Sequence, residues 1–418
     1  MKLFPGIDLD AHSMNGYFDL YRHLHQHPEL SMHEYKTAQI IEERLKNTGA
    51  ETFQCGGTGI VAILRNGAGP VIAFRADIDG LPMKEETGLL YASTDTSVLS
   101  DGSVVPVMHG CGHDLHITAA IAAAELLASK SSLWSGTLVF IFQPGEETAS
   151  GASAMVDDGL WKRAPIPVVI LGQHVGPCET GTTETRTGEV MSLADAWEVI
   201  VHGKGAHGSQ PEVSIDPIVA AAYMITRIQT VVSRELSPHT SAVVTVGSFH
   251  AGLKENIIPS EAAFTLNIRT PNEEVRAGVL SSLRRIIHAE AIAAGAGEPS
   301  ITELYRFPRC YNDEEMTSIV TAALVDEFGY SNVNVARPRS MGSEDFGWLG
   351  DSIGVPTVFW WHGAFSPLRM AKMDTVPGNH SPFFGPDLEP AIETGIRSAL
   401  AAIMAYVVLE GVGDGSEH

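Results

Sequence analysis

Short apolar runs, each too brief for a helix and bounded by turn residues, recur along the chain at 59–64, 71–75, 137–142, 167–171 and 355–360. Unbroken apolarity over five or six residues predicts strands buried on both faces. The stretch 115–129 reads as a helix. So does 15–48, with its opening broken at Pro28. Strands alternating with helices argue an α/β sheet flanked by helices. Polar groups follow these strands: Asp77 and Asp79 the second, Glu146 and Glu147 the third, Gln173 and His174 the fourth, Trp361 and His362 the fifth. In such sheets, sites gather at the carboxyl ends of strands.

The texture changes between 188 and 302. Strand patterns at 190–203, 241–249, 261–269 and 300–307 surround helical patterns at 216–235 and 273–294. That β-α-β-β-α-β order predicts an antiparallel, ferredoxin-like α+β domain. The α/β pattern resumes near Asn312. The expectation is therefore a mixed-sheet catalytic domain, 1–187 and 303–418, with 188–302 inserted into it. There is no internal repeat or low-complexity segment.

A length of 418 residues fits two domains. The net charge of −23 argues against nucleic acid or an anionic membrane as partner. No stretch reaches the ~18 apolar residues of a membrane span. The opening residues, Met1 to Asp8, carry no export-signal pattern. Four separated cysteines, Cys55, Cys111, Cys178 and Cys310, form no disulfide framework, and a cytoplasmic location is expected. Seventeen histidines against 27 Lys and Arg is rich and invites a search for metal ligands. His23, His25, His27 and His33 read as scattered over several helix faces, because their spacing does not bring all four to one side.

The chemistry concentrates in two motifs. Leu138-Val-Phe-Ile-Phe-Gln-Pro-Gly145-Glu-Glu ends a strand in a turn, where adjacent side chains can diverge. One glutamate can then bind a metal while its neighbour moves a proton. Upstream lies Cys111-Gly-His113-Asp114. Cys111, His113, Glu147, His174 and His380 make a mixed N/O/S donor set suited to zinc, manganese, cobalt or nickel. Five ligands exceed one tetrahedral site, so two metals sharing a bridging group is the economical reading. Asp77 and Asp114 are then expected to orient imidazoles.

At these residues the chain resembles the family-20 metallopeptidases, in the subgroup of aminoacylases, hippurate hydrolases and auxin–amino acid conjugate hydrolases. The resemblance runs over nearly the whole chain. It covers Arg22-His-Leu-His25-Gln-His-Pro28-Glu-Leu, Phe74-Arg-Ala-Asp77-Ile-Asp79-Gly-Leu-Pro, Met108-His-Gly-Cys111-Gly-His113-Asp and Phe142-Gln-Pro-Gly-Glu146-Glu147. It continues in Gly172-Gln-His174, Gly203-Lys-Gly-Ala-His207-Gly-Ser-Gln-Pro, Ser340-Met-Gly-Ser-Glu344-Asp345-Phe and Gly378-Asn-His380-Ser-Pro.

The resemblance implies a zinc-peptidase-like catalytic domain in which Cys111 bridges two divalent metals. His113, Glu147, His174 and His380 would complete the coordination, with Glu146 as general base. It also implies His207 as the oxyanion-stabilising histidine, reaching a partner subunit's site in many relatives. Asn256 and Arg269 would hold a substrate carboxylate. The implied reaction cleaves N-acyl amino acids, benzoyl or other aryl conjugates included, to a carboxylic acid and a free amino acid. A homodimer or dimer-based tetramer, assembled through the inserted domain, follows from the same resemblance. Competing readings are a dipeptidase or carbamoylase of the same fold, a thiol hydrolase using Cys111, and a non-catalytic metal-binding protein.

Overall fold

The computed structural model describes residue 9 and residues 11–407, so the opening segment read for an export signal lies outside the described residues. The chain divides into two compact units. Met191–Cys310 and Arg339–Glu344 form one, and the remaining described residues form the other. The second unit thus starts and ends a few residues later than 188–302 and also takes in a short distant segment.

The larger unit is built on an eight-stranded sheet. In chain order its strands are β1 (Glu51–Gln54), β2 (Ile60–Asn66), β3 (Val71–Asp77), β4 (Gly136–Gln143), β5 (Val169–Glu179), β6 (Thr183–Glu184), β7 (Val333–Asn334) and β8 (Thr357–Phe365). Their spatial order is β1-β2-β4-β3-β5-β8-β6-β7. The central four, β4, β3, β5 and β8, run parallel. Antiparallel pairs β1–β2, β2–β4 and β8–β6 make the sheet mixed. The parallel strands are buried almost throughout, as expected where both faces are covered.

Helices α1 (Ala11–Gln26), α2 (Tyr35–Lys46), α3 (His113–Ser129), α4 (Glu314–Phe328) and α5 (Leu388–Val407) accompany the sheet. The single helix read over 15–48 is therefore two. Pro28 cannot continue the hydrogen-bond ladder, and Met32 turns left-handed at φ 64. Helix α3 is apolar all round and buried along most of its length, as a central helix must be. With α1, α2 and α5 it shares a core that takes Phe74, Phe140, Leu171 and Trp360 from the sheet.

The smaller unit is a four-stranded antiparallel sheet in the order Val243–Ala251, Glu261–Thr270, Leu193–His202, Ser300–Phe307. Helices Pro217–Thr230 and Glu273–Ala294 complete a separate core around Trp197, Phe264, Met224 and Leu283. Along Glu261–Thr270 burial alternates strictly, with Ala262, Phe264, Leu266 and Ile268 in that core. Period-two geometry therefore puts Asn267 and Arg269 together on the opposite face.

Candidate metal centre

The parallel register brings the carboxyl ends of β3 and β4 level, with Asp77 opposite Gln143. Below them a buried guanidinium fastens the strands. Arg75 Nη1 donates to Asp77 Oδ2 at 2.7 Å, Nε to Gln143 Oε1 at 2.9 Å, and Nη2 to Asp345 Oδ1 at 3.3 Å. All these side chains are buried, so the charges are matched where water cannot screen them.

Two turns then deliver the chemistry. Gly112 enters α3 at φ 86, and a Cβ there would lie 2.4 Å from Val175 Cγ1. Gly145, at φ 56, leads into the short turn Glu146–Thr148, and a Cβ there would lie 2.6 Å from Met32 Sδ. Both positions require glycine. Glu34 holds the second turn: its Oε1 accepts the Gly145 N–H at 2.9 Å, and its Oε2 accepts the Thr58 hydroxyl. Burial, then the charge of Asp79, pushes the Glu34 carboxyl up to about 7.

Cys111, His113 and Glu147 converge, with one ligand atom from each within 4.8 Å of the others. Cys111 Sγ also lies 3.4 Å from His174 Nε2, and His380 Nε2 lies 3.2 Å from Glu147 Oε1. The tautomers can be read from the other ring nitrogens. His113 Nδ1 faces two acceptors, the backbone oxygen of Asp79 at 2.9 Å and its Oδ1 at 3.1 Å. His174 Nδ1 faces the Val175 carbonyl at 2.7 Å. In each case Nδ1 donates, and Nε2 offers its lone pair to the cluster. His113 Nε2 and Glu147 Oε1 are buried without a hydrogen-bond partner.

Electrostatics point the same way. Burial works against a charged His113, yet Asp77, Asp79 and Glu147 outweigh it and raise its pKa to about 10. Its surroundings therefore favour positive charge. Burial, helped by the charge of His116, holds His174 well below the usual range and neutral. Burial, then Glu147 and Glu146, drives the Cys111 thiol well up. A thiol so placed is a poor nucleophile on its own, and a bound cation is what would make it a thiolate. That weighs against a thiol hydrolase. One sulfur, two lone-pair imidazoles and a carboxylate fit divalent zinc, manganese, cobalt or nickel.

Asp77 and Asp114 do orient imidazoles, but not those of candidate ligands. Asp77 Oδ1 bonds His116 Nδ1, while its Oδ2 stands 3.6 Å from His113 Nε2. Asp114 Oδ2 lies 2.6 Å from His25 Nδ1, whose Nε2 lies 3.0 Å from Glu85 Oε1. Burial opposes charge on His25, but the two carboxylates raise it to about 9. The role foreseen for Asp77 and Asp114 at a ligand falls instead to Asp79, which also accepts the Glu147 N–H at 3.0 Å. His116 sits beside His174, with ring centroids 4.5 Å apart. Its Nε2 accepts the Val175 N–H at 2.8 Å, so both its nitrogens are engaged and neither is left for a metal. Glu34, His25, Asp79 and His116 went unread as site residues. The 34 residues separating His113 from Asp79, or 89 separating Asp114 from His25, leave no periodic trace.

Glu146 is buried at the head of its turn. The remaining candidates belong to the smaller unit. His207, exposed, pairs with Ile257, and the Gly208 N–H donates to the Asn256 carbonyl at 2.8 Å, bringing His207 and Asn256 into one short ribbon. His207 Nδ1 accepts the Ser209 N–H at 3.1 Å, which makes Nε2 the N–H donor of the neutral ring. Arg269 is braced by Nε on Asn267 Oδ1 at 2.9 Å and Nη1 on Ser343 Oγ at 2.7 Å. Its Nη2 has no partner among the described residues.

The sheet, the two glycine turns and the donor cluster together define a candidate metal centre at the carboxyl ends of parallel strands. Residues 73–405 match the model of peptidase family M20/M25/M40, and the chain belongs to that family. It is 35% identical to the N-acetylcysteine deacetylase of Bacillus subtilis over 94% of this chain and 96% of that protein. It is 36% identical to the hippurate hydrolase of Campylobacter jejuni over 84% and 88%. A solved dinuclear metal binding peptidase of the M20 family from Bacillus subtilis superposes with a TM-score of 0.75, at 30% identity, over 95% of this chain and 99% of that one. The protein is a hydrolase acting on amide bonds. Among the described residues, no helix is long and apolar enough to cross a membrane.

Proposed function

We propose that the protein is an N-acyl-amino acid amidohydrolase that works with two divalent metal ions. The observation that carries this reading is the convergence of Cys111, His113, Glu147 and His174, with two imidazole lone pairs turned inward and a buried carboxylate oxygen of Glu147 that faces His380 Nε2. Support for the substrate class comes from the relatives named for N-acetylcysteine and for hippurate. Both compounds are amino acids acylated on the α-nitrogen and bearing a free carboxylate.

In this reading Cys111, His113, Glu147, His174 and His380 would hold the ions. Bound there, the ions supply Lewis acidity toward the amide carbonyl and the attacking water. Glu146, next to the ligand Glu147 and free of a ligating role, takes the proton of that water and returns it to the leaving amine. His207, donating through Nε2, stabilises the oxygen of the tetrahedral intermediate. Arg269 offers Nη2 to the substrate carboxylate, with its Nε and Nη1 already fixed, and Asn256 assists.

The assembly proposed is a homodimer, or a tetramer built from two such dimers, through the smaller unit. Its edge strand Val243–Ala251 exposes Val243 and Phe249, and its helix Pro217–Thr230 exposes Val219 and Tyr223. An exposed apolar edge of this kind favours a covering partner. None of the four cysteines is in a disulfide, in agreement with a cytoplasmic location.

The test is amine release from a panel of N-acyl amino acids, N-benzoylglycine included. Chelated protein is compared with protein resupplied with manganese, zinc, cobalt or nickel. Metal-restored cleavage with a preference among acyl groups is expected. A folded, metal-loaded protein that cleaves none of them would overturn the reading.

A further inference from the structure

We infer that Asn379 is a positioning residue for the metal centre, tying together the three chain segments that carry Cys111, His174 and His380. Its side-chain Nδ2 donates to the Cys111 carbonyl at 3.0 Å and to the Val175 carbonyl at 3.1 Å. Two carbonyls facing one end of an amide fix that end as the NH₂, since only nitrogen has two hydrogens to give. The Val175 carbonyl is the same oxygen that accepts His174 Nδ1, so Asn379 and His174 share one anchor.

The need for this tie lies in His380. Among the described residues it is one of three non-glycine residues with positive φ, at 66°, a conformation that persists only where its surroundings impose it. Its side chain is 54% exposed, and its ring meets Glu147 Oε1 at 3.2 Å. Its position is set by the backbone: its N–H donates to the Gly110 carbonyl at 2.8 Å, and the residue before it is the doubly bonded Asn379. Losing the Asn379 amide frees the 378–381 turn and lets His380 leave Glu147. It also loosens the carbonyl to which His174 is anchored.

The inference rests on the two-ion reading above, and its test reads metal binding rather than turnover. Asn379→Ala removes the donors and the bulk; Asn379→Leu removes the donors and keeps roughly the shape. Zinc and manganese affinities of the full chain would be measured by competition with a chromophoric chelator, well below the unfolding temperature. Both variants are expected to hold one ion nearly as the unaltered protein does and to bind the other ~10- to 100-fold more weakly, the range for losing a group that orients ligands. In the cobalt-loaded protein the thiolate charge-transfer band of Cys111 should remain while the ligand-field bands change. Unaltered affinities in both variants, or a loss in Ala that Leu restores, would reduce Asn379 to a packing role and overturn the inference. Uptake of fewer than two ions by the unaltered protein would instead overturn the two-ion reading.

Discussion

Asp79 grips His113 twice, through its backbone oxygen at 2.9 Å and through Oδ1 at 3.1 Å, while its Oδ2 accepts the Glu147 N–H at 3.0 Å. One residue thus sets the tautomer of one candidate ligand and the backbone position of another. Burial works against the Asp79 charge, but the bonds to His113, Ser31 and Glu147 keep its carboxyl below the ordinary range. Asp79→Ala is expected to weaken divalent-metal affinity by ~10- to 100-fold. Chelator competition checks this, and an affinity unchanged from the parent would contradict it.

In the proposed reading the two adjacent glutamates would divide metal binding from proton transfer. Glu146→Gln keeps the shape of the side chain and removes its basicity. Turnover should fall by ~10²- to 10⁴-fold with metal content unchanged. Elemental analysis beside an amine-release assay separates the two. Loss of metal together with activity would show that Glu146 is a ligand.

Acid sensitivity has a source away from the ligands. Burial, reinforced by the charge of His116, pulls the ring of His362 on β8 down to about 3. An unfolded histidine titrates near 6.5. Between those values the unfolded chain binds a proton that the native state refuses. Stability is therefore lost as pH falls from 6.5 toward 3, by up to about 1.4 kcal/mol per unit from this group. His362→Leu removes the term. Urea unfolding of chelated protein at pH 7.5 and pH 5 should show the parent losing roughly 2 kcal/mol more than the variant. Equal losses would place the acid sensitivity in other groups.

Much of the architecture is legible in the sequence because local chemistry agrees with the fold. The helix Glu273–Ala294 is bracketed by Asn272, whose side chain accepts the Val275 N–H, and by Gly295 at φ 68. The alternation along Glu261–Thr270 is equally readable. The ends of β5 and β8 are not. Both run past the polar residues His174 and His362, because pairing continues through Gly176 and Gly363. A Cβ on Gly363 would lie 1.8 Å from the Glu179 oxygen, so the glycine there is what lets the strands stay close. The donor set stood out because its residue types are chemically special. The side chains packed around it, Asp79, His116 and Asn379, are ordinary polar residues whose partners only the folded chain supplies.

Arg269 supplies the sharpest test of the substrate class. Strand periodicity turns it away from the helical core, and Asn267 and Ser343 hold its Nε and Nη1. Ser343 is fixed in turn by its hydroxyl on the Ser192 carbonyl at 2.7 Å. The guanidinium is therefore braced on one side and open at Nη2, an arrangement suited to a carboxylate. Arg269→Met keeps length and packing and removes the charge. A charge-assisted hydrogen bond is worth about 1.5–3 kcal/mol, so kcat/KM for N-benzoylglycine should fall ~10- to 100-fold. For the same compound with its carboxylate capped as an amide, the parent should already be slow and the variant little slower. The comparison is a two-by-two set of kcat/KM values for parent and variant on the acid and the capped amide. Equal losses on both substrates would show that Arg269 supports the smaller unit without reading the substrate's charge.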